Sequence, residues 1–219
     1  MKKVLILCMC AVLGLAGAAL GADRQEMKRM SVFLSNFTEA RMFNFDIRAE
    51  PYEGEDERVG TVPTHLGMPE NADELIRFGI VHNLINNYKS RIRKCTDPDC
   101  ESGSLTIDRK FVVESVRKYF GLELTARDFR ALADNPSVAF SYDGKLLHFD
   151  ADSFREPGED AVYYAEVQDV DEGRYITLSG EIYDSKRPSR RPGTFSAFVV
   201  PSGKSWLIVS MSTEWKEDY

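Results

Sequence analysis

The chain is poor in the residues that build most catalytic and metal-binding motifs. Its 219 residues include only four cysteines, three histidines and two tryptophans. The sequence contains no pattern typical of a serine-hydrolase elbow, a zinc peptidase helix, a P-loop or a dinucleotide-binding turn. Paired carboxylates decide nothing, since 35 acidic residues are present. These absences favour a non-catalytic domain, and we expect neither a cofactor nor a metal ion.

Long apolar runs are also scarce, and the one that stands out is at the start. Residues 1–22 combine two lysines, an apolar run over 4–15 and a string of small residues over 16–22. This order is typical of a signal peptide, and the run is too short for a membrane span. An uncleaved anchor is the alternative. We expect a periplasmic or secreted protein whose residues 23–219 form a single domain, with no transmembrane segment after the leader.

Positive charge is the third deficit. Lysine and arginine number 28 against 35 acids, and removal of residues 1–22 takes away two lysines and no acid, which leaves a net charge of −9. A strongly acidic surface disfavours binding to nucleic acid or to anionic membranes. We therefore expect the partner to be another protein or a small molecule.

The C-terminal part alternates apolar and polar residues with the period of β-strands. Four runs, over residues 162–167, 174–183, 194–200 and 205–215, are separated by turn residues and predict an antiparallel meander. One face is predicted to be aliphatic, and it comprises Ile176, Leu178, Ile182, Leu207, Val209 and Met211. A sheet buries such a face against another layer. The fold class predicted is therefore α+β, with N-terminal helices packed on this meander.

The first half has helical periodicity. Helices are predicted over residues 24–42, 71–94 and 107–120, with a short turn to about residue 132, and their N-caps are predicted to be Asp23, Asn71 and Thr106. Gly121 is predicted to end the third helix. Residues 47–69 are predicted to be a long loop. A helical part over 23–133 is thus followed by a hairpin around Asp143 and the sheet, over residues 137–215.

The second face of the predicted sheet mixes aromatic and hydroxyl residues. Its candidates for ligand contact are Tyr175, Thr177, Tyr183 and Trp206. Such a face lines a pocket, packs a second layer or stays half-wet. His82 lies on the apolar stripe of the second helix, where it is either a hydrogen-bonded core residue or a general base. The second reading predicts a periplasmic enzyme.

Cys95 and Cys100 are the only cysteines after residue 22. In an exported protein such a pair predicts a disulfide that closes a small ring. Redox activity would require a lowered thiol pKa, for which no neighbouring base is evident in the sequence. A zinc site would need two further ligands, and no histidine follows at a suitable spacing.

A cluster of cations interrupts the acidic background between the second and third strands. Lys186, Arg187, Arg190 and Arg191 lie within six residues. They could contact an anionic ligand, an acidic patch of a partner or an anionic envelope polymer, which would make the protein envelope-associated. The alternative is an exposed loop that the charges keep soluble.

Four short segments, at residues 31–37, 75–83, 119–121 and 180–183, resemble in type and order a group of functionally uncharacterised bacterial secreted proteins and lipoproteins. The resemblance covers most of the mature chain and implies export, with no catalytic motif. This chain lacks the acylated cysteine of the lipoprotein members. Its element order is also similar, by analogy only, to the NTF2-like and cystatin-like α+β folds, which wrap a sheet around a helix.

Overall fold

The computed structural model describes residues 23–48, 64–67, 71–96, 100, 103–133, 138–154, 161–173 and 175–216. The predicted signal peptide and most of the predicted 47–69 loop lie outside these residues. The described chain contains five helices and two sheets, which confirms the α+β class. None of its helices combines the length and apolarity that crossing a membrane requires.

The predicted meander forms the larger sheet. Its strands are β7 (Tyr163–Glu172), β8 (Ile176–Asp184), β9 (Gly193–Ser202) and β10 (Ser205–Trp215), each antiparallel to the next. Two short strands from the first half extend it, β1 (Phe45–Asp46) beside β10 and β2 (Thr64–His65) parallel to β1. The order in the six-stranded sheet is β2-β1-β10-β9-β8-β7.

The predicted faces of β10 are wrong. Trp206 and Ile208 are buried, whereas Leu207 and Val209 are only partly so. A β-bulge between Ile208 and Ser210 inserts one extra residue against β9. Because side chains alternate along a strand, that residue shifts the pattern by one, and Met211 returns to the buried face. The predicted aliphatic face is therefore correct for β8 but only for Met211 on β10.

Helix α1 (Arg24–Glu39) begins where the sequence predicted. The Asp23 carboxylate accepts a hydrogen bond from the Glu26 N–H at 2.7 Å, which is the N-cap arrangement. The helix lies along β7, the edge strand of the larger sheet. Its buried residues include Met30, Phe33, Leu34 and Phe37.

The face of α1 next to β7 carries hydroxyl groups. Ser31, Ser35 and Thr38 bond to backbone groups that the edge strand would otherwise leave unpaired. The N–H of Val167 donates to the Ser31 hydroxyl (2.9 Å), and the N–H of Ala165 donates to the Ser35 hydroxyl (3.1 Å). The Thr38 hydroxyl donates to the Tyr163 carbonyl (2.7 Å). The helix thus covers an edge that would otherwise be open to strand pairing.

The helix predicted over residues 71–94 is three elements. Helix α2 (Ala72–Asn86) is followed by the single turn α3 (Tyr88–Arg91) and by strand β3 (Ile92–Lys94). Asn71 is the N-cap residue of α2, as predicted, but its side chain makes no cap bond to the first turn. The backbone becomes extended at Ile92, which pairs with the strand that follows β3. Strand pairing therefore overrides the helical pattern of the sequence.

Helix α4 (Arg109–Phe120) starts two residues later than predicted. Thr106 lies in strand β4 (Leu105–Asp108), and the N-cap is Asp108, whose carboxylate accepts from the Lys110 N–H at 2.9 Å. The helix ends at Gly121 with a positive φ of 70°, which confirms the predicted C-cap. Gly79 of α2 packs so close to Val112 of α4 that a Cβ would lie 2.6 Å from that side chain.

A second sheet contains the predicted hairpin. Helix α5 (Ala126–Ala133) follows Thr125, whose N–H donates to the Asp128 carboxylate at 2.6 Å. Strands β5 (Phe140–Tyr142) and β6 (Leu146–Phe149) then pair around Asp143, as predicted, and β6 also pairs with β4. The four-stranded order is β3-β4-β6-β5. A short 3₁₀ turn, Ala151–Phe154, follows β6.

The core between the helices and the larger sheet is aromatic. Phe37 of α1 is fully buried, and its ring lies within 6 Å, centroid to centroid, of five others, those of Phe33, Phe45, Phe78, Tyr119 and Phe120. These rings come from α1, β1, α2 and α4, so one cluster fixes three helices on the sheet. The prediction that helices bury the apolar face of the meander is confirmed in its main feature.

Candidate functional site

The four residues predicted to line one ligand site do not lie together. Tyr175 is 42% exposed at one end of β8, beside Phe198 at a ring distance of 6.5 Å. Thr177 pairs with Phe198 on the same half-exposed face. Tyr183 lies at the other end of β8, about 20 Å from Thr177 along the strand. Trp206 is on the opposite, buried face, with only 7% of its surface exposed.

Trp206 instead helps to form a pocket on the helix side of the sheet. The cavity has a volume of about 430 Å³ and lies where α1, the C-terminal end of α4 and the β9–β10 turn meet. We call it the Trp206 pocket. Its aromatic side consists of Phe33, Tyr119 and Trp206, with ring distances of 5.7 Å between Phe33 and Tyr119 and 5.9 Å between Phe33 and Trp206.

The polar side of the Trp206 pocket is cationic. Its lining residues carry four positive charges, on Lys28, Arg29, Lys118 and Lys204, and no acidic side chain. The Arg29 guanidinium lies 5.2 Å from the centre of the Trp206 ring and donates to the Lys204 carbonyl at 2.8 Å. Within the described residues, none of these four cations makes an ion pair. Such a grouping creates a local positive potential on an otherwise acidic chain.

His82 lies behind the pocket, in the core. It is 6% exposed, and its ring nitrogens lie 3.1 Å from the Ser115 hydroxyl and 3.1 Å from the Tyr119 hydroxyl. Burial, reinforced by the positive charge of Lys118 and Arg91, lowers the pKa of His82 to about 4. Both nitrogens are engaged and the imidazole is neutral at physiological pH. This is the environment of a hydrogen-bonded core histidine.

The basic loop between β8 and β9 is engaged with acids of the same chain. The Arg187 guanidinium lies 3.0 Å from Asp184, and Arg191 lies 2.8 Å from Glu166 and 3.3 Å from Glu181. Lys186 and Arg190 also have interaction partners. The loop borders a groove of about 880 Å³ between α1 and β7, to which Arg191 and Tyr183 contribute. Much of the loop's charge is thus offset within the fold.

Cys95 and Cys100 are not joined in a disulfide, which corrects the predicted ring. Their sulfurs lie instead beside the imidazole of His148 on β6, at 3.5 Å and 3.2 Å from its Nδ1. The other ring nitrogen, Nε2, lies 3.1 Å from the Asp143 carboxylate. A shared contact with one imidazole places the sulfurs side by side without a bond between them.

Charge and hydrogen bonding set the protonation of this group. Burial lowers the pKa of His148, but the hydrogen bond to Asp143 and the contact with Cys95 outweigh it, so the pKa is raised overall. For Asp143, burial raises the pKa, yet hydrogen bonds from the Leu146 N–H and from His148 hold it below its usual value. Imidazole and carboxylate therefore stabilise each other.

Sequence reasoning missed His148 as a neighbour of the cysteines. The link passes through β4, because Thr106 pairs with Arg93 on one side and with His148 on the other. The Cys95 N–H continues that ladder by donating to the Ser104 carbonyl at 2.9 Å. A prediction of β3 and β4 as strands would have revealed the proximity. The helical readings of both segments concealed it.

A scan against protein-family models, a search of curated proteins and a search of solved structures each find no match.

Proposed function

We propose that the protein is an exported, non-catalytic domain that binds a small anionic ligand in the Trp206 pocket. The observation that carries the proposal is the set of four cations without ion-pair partners in the described chain, placed around an aromatic wall. Burying or crowding like charges costs free energy unless something offsets it. An anion that enters the pocket supplies that compensation.

The aromatic wall specifies the rest of the ligand. A volume of about 430 Å³ falls within the range of small-molecule sites, and such sites combine an apolar surface with a few directed polar groups. Phe33, Tyr119 and Trp206 offer ring surface, while Arg29 and Lys118 lie over two of these rings. The ligand class that matches is a carboxylate, sulfonate or phosphate attached to a planar or apolar body.

The competing functions have less support. An enzyme that used His82 as a base would need a ring nitrogen open to substrate, and both nitrogens are hydrogen-bonded in the core. Binding of an anionic envelope polymer would use the β8–β9 loop, where Arg187 and Arg191 already form ion pairs. The Trp206 pocket has neither obstacle.

Export is part of the proposal and has its own test. The basic, apolar and small-residue order of residues 1–22 supports it. Expression of the full chain in a Gram-negative host should place the protein in the periplasmic fraction. Its intact mass should be that of a chain that begins near residue 23. Retention of residues 1–22 in the membrane fraction would contradict cleavage and favour an anchor.

The ligand test uses an aromatic sulfonate dye, 8-anilinonaphthalene-1-sulfonate, because it matches the proposed ligand class. Titration should quench Trp206 emission and saturate at one dye per chain. Replacing Lys118 and Lys204 together by glutamine should weaken the affinity roughly five- to tenfold, since each surface charge contact contributes up to about 1 kcal/mol. Lys110→Gln, on the same helix but outside the pocket, is the matched control.

Two further measurements separate specific binding from general dye adsorption. Trp206→Phe should keep the fold and binding but remove the quenching, since Phe retains a ring at this largely buried position. Small carboxylates and phosphates should compete with the dye, and raised salt should weaken it. The proposal would be overturned if the wild type and the double lysine variant bound the dye with equal affinity. It would also be overturned if the wild type bound a neutral analogue of the dye as tightly as the dye itself.

A further inference from the structure

A second group of residues outside the Trp206 pocket has the chemistry of a metal site. The Sγ atoms of Cys95 and Cys100 and a ring nitrogen of His148 all lie within 4.8 Å of one another. Cys95 directly follows β3, and His148 lies in β6, so the fold and not the local sequence brings the cysteines and the histidine together. Two thiolates and an imidazole are preferred ligands of Zn²⁺.

The distances match the edges of a coordination tetrahedron. With Zn–S bonds of about 2.3 Å and Zn–N bonds of about 2.0–2.1 Å, a tetrahedral ion holds sulfur and nitrogen about 3.6 Å apart. The Cys95 sulfur lies 3.5 Å and the Cys100 sulfur 3.2 Å from the Nδ1 of His148. An ion could therefore bind with shifts of a few tenths of an ångström in the sulfur–nitrogen distances.

His148 is oriented for coordination through Nδ1. Its Nε2 faces the Oδ2 of Asp143 at 3.1 Å, while Oδ1 of the same carboxylate accepts from the backbone N–H groups of Lys145 and Leu146. A carboxylate held in this way accepts a hydrogen bond from the Nε2–H of His148, and this tautomer leaves the Nδ1 lone pair toward the sulfurs. Carboxylate–histidine pairs of this kind recur behind zinc ligands, where they fix the tautomer and the ring orientation.

The two thiols lie between a close backbone approach at Gly103 and an open cavity. Gly103 has φ of 139°, and a Cβ there would lie 2.1 Å from the carbonyl carbon of Phe149, so the backbone at Gly103 lies close against the end of β6. The Cys100 thiol donates to the Gly103 carbonyl at 3.3 Å. A cavity of about 560 Å³ opens beside the two sulfurs and Asp150. Solvent or a further ligand atom can reach the fourth coordination position from it.

We propose that Cys95, Cys100 and His148 form a three-ligand site for a thiophilic metal ion, Zn²⁺ in particular, with the fourth position open to the cavity. Binding is a ligand exchange: each thiol gives its proton to the buffer, two sulfur–metal bonds and one nitrogen–metal bond form, and the ion releases the waters of its hydration shell except one, which stays in the open fourth position. Soft thiolates also favour Cu(I), whereas Ca²⁺ and Mg²⁺ require oxygen ligands.

The test uses the mature chain after reduction and removal of the reductant. Competition with a chromophoric chelator should give one Zn²⁺ per chain with a dissociation constant below about 1 µM. Substitution by Co²⁺ should produce a thiolate-to-cobalt charge-transfer band and the visible bands of tetrahedral cobalt. Cys95→Ser or Cys100→Ser should weaken Zn²⁺ binding at least about 100-fold and weaken the charge-transfer band.

A variant that leaves all three ligands in place makes the test sharper. Asp143→Asn keeps the oxygen that accepts the two backbone N–H groups but removes the charge behind His148, and it should weaken Zn²⁺ about 10- to 100-fold. Asp169→Asn makes the same chemical change at an exposed position of strand β7 and should leave the affinity unchanged. Circular dichroism checks that every variant is folded.

Three results would overturn the inference. The first is the absence of stoichiometric Zn²⁺ binding to the folded, reduced wild type. The second is a Co²⁺ complex without a thiolate band. The third is an intact mass, for protein taken from the periplasm, that is lower by two hydrogens and unchanged by alkylation, because it would show a Cys95–Cys100 disulfide. Dye binding to the Trp206 pocket uses other residues and is unaffected by each of these results.

Discussion

His82 makes folding stability depend on pH. Its pKa is about 4 in the folded chain and about 6.5 when exposed, so below pH 6.5 the unfolded state binds a proton that the folded state does not. The effect of His82 on the free energy of unfolding is absent above about pH 6.5. As the pH falls toward 4, His82 lowers the free energy of unfolding by up to about 3 kcal/mol. Urea unfolding at pH 7 and pH 4.5 measures this decrease.

Carboxylates also titrate over that range, so a variant must isolate the histidine. Glutamine keeps a donor and an acceptor near Ser115 and Tyr119 but cannot be protonated. His82→Gln should therefore lose less stability than the wild type between the two pH values. An equal loss in both proteins would show that His82 is not the titrating group.

Phe37 is the residue on which the helix–sheet core depends most. It is fully buried among five other rings, and Phe37→Ala should lower the free energy of unfolding by about 3–5 kcal/mol. Phe37→Leu fills more of the space and should cost clearly less. Thermal and urea unfolding of the two variants test the ranking, and equal losses would mean that cavity size does not set the cost.

Which residue-scale predictions succeed depends on how local their chemistry is. The Asp23 cap and the Gly121 helix end involve contacts within three or four residues, and both are present. Thr106 has a hydroxyl that suits an N-cap equally well, but it lies in strand β4 and pairs with β6, so the predicted cap is wrong. The predicted Cys95–Cys100 disulfide is wrong for the same reason, because the contact that both sulfurs make is with His148, which lies 48 residues after Cys100.

At the scale of elements, the seam between α1 and the edge strand β7 depends on serine hydroxyls. Each hydroxyl donates within the helix, Ser31 to Met27 and Ser35 to Ser31, and uses its oxygen to accept a β7 N–H. Ser31→Ala and Ser35→Ala should each destabilise the protein by about 1 kcal/mol, since an unsatisfied N–H costs more than the gain in helix propensity.

The matched control lies on the same helix. Val32 is 63% exposed, and Val32→Ala should leave the free energy of unfolding nearly unchanged. Hydrogen exchange should also report the seam locally, because the N–H groups of Ala165 and Val167 lose their acceptors in the serine variants. Unchanged exchange at these amides would contradict the role assigned to the hydroxyls.

This seam also shows why elements were easier to predict than their partners. Hydropathy assigns Ser31, Ser35 and Thr38 to solvent, yet they face a strand edge, and Thr38 is fully buried. The β-bulge after Ile208 leaves no mark in the alternation that a period-two reading could detect. The strands of the meander were therefore predicted correctly, whereas the face of Trp206, and with it the pocket, was not.

At the scale of the whole molecule, α4 connects the two sheets. It follows directly from β4 of the four-stranded sheet, packs on α2 through the close approach at Gly79, and reaches β10 of the six-stranded sheet. A buried element shared in this way couples the stability of both sheets. We expect residues 23–219 to unfold in one cooperative transition, as predicted for a single domain.

Each sheet offers its own probe of that transition. Both tryptophans, Trp206 and Trp215, lie in β10, so their fluorescence reports the six-stranded sheet, while amide exchange in peptides from β4 and β6 reports the other. The two urea midpoints should coincide. Val116→Ala, at a fully buried position in α4, should lower the free energy of unfolding by roughly 2 kcal/mol. Both urea midpoints should therefore fall by the same amount. Separate midpoints, or a shift of only one, would mean that the sheets are independent units and that α4 belongs to one of them.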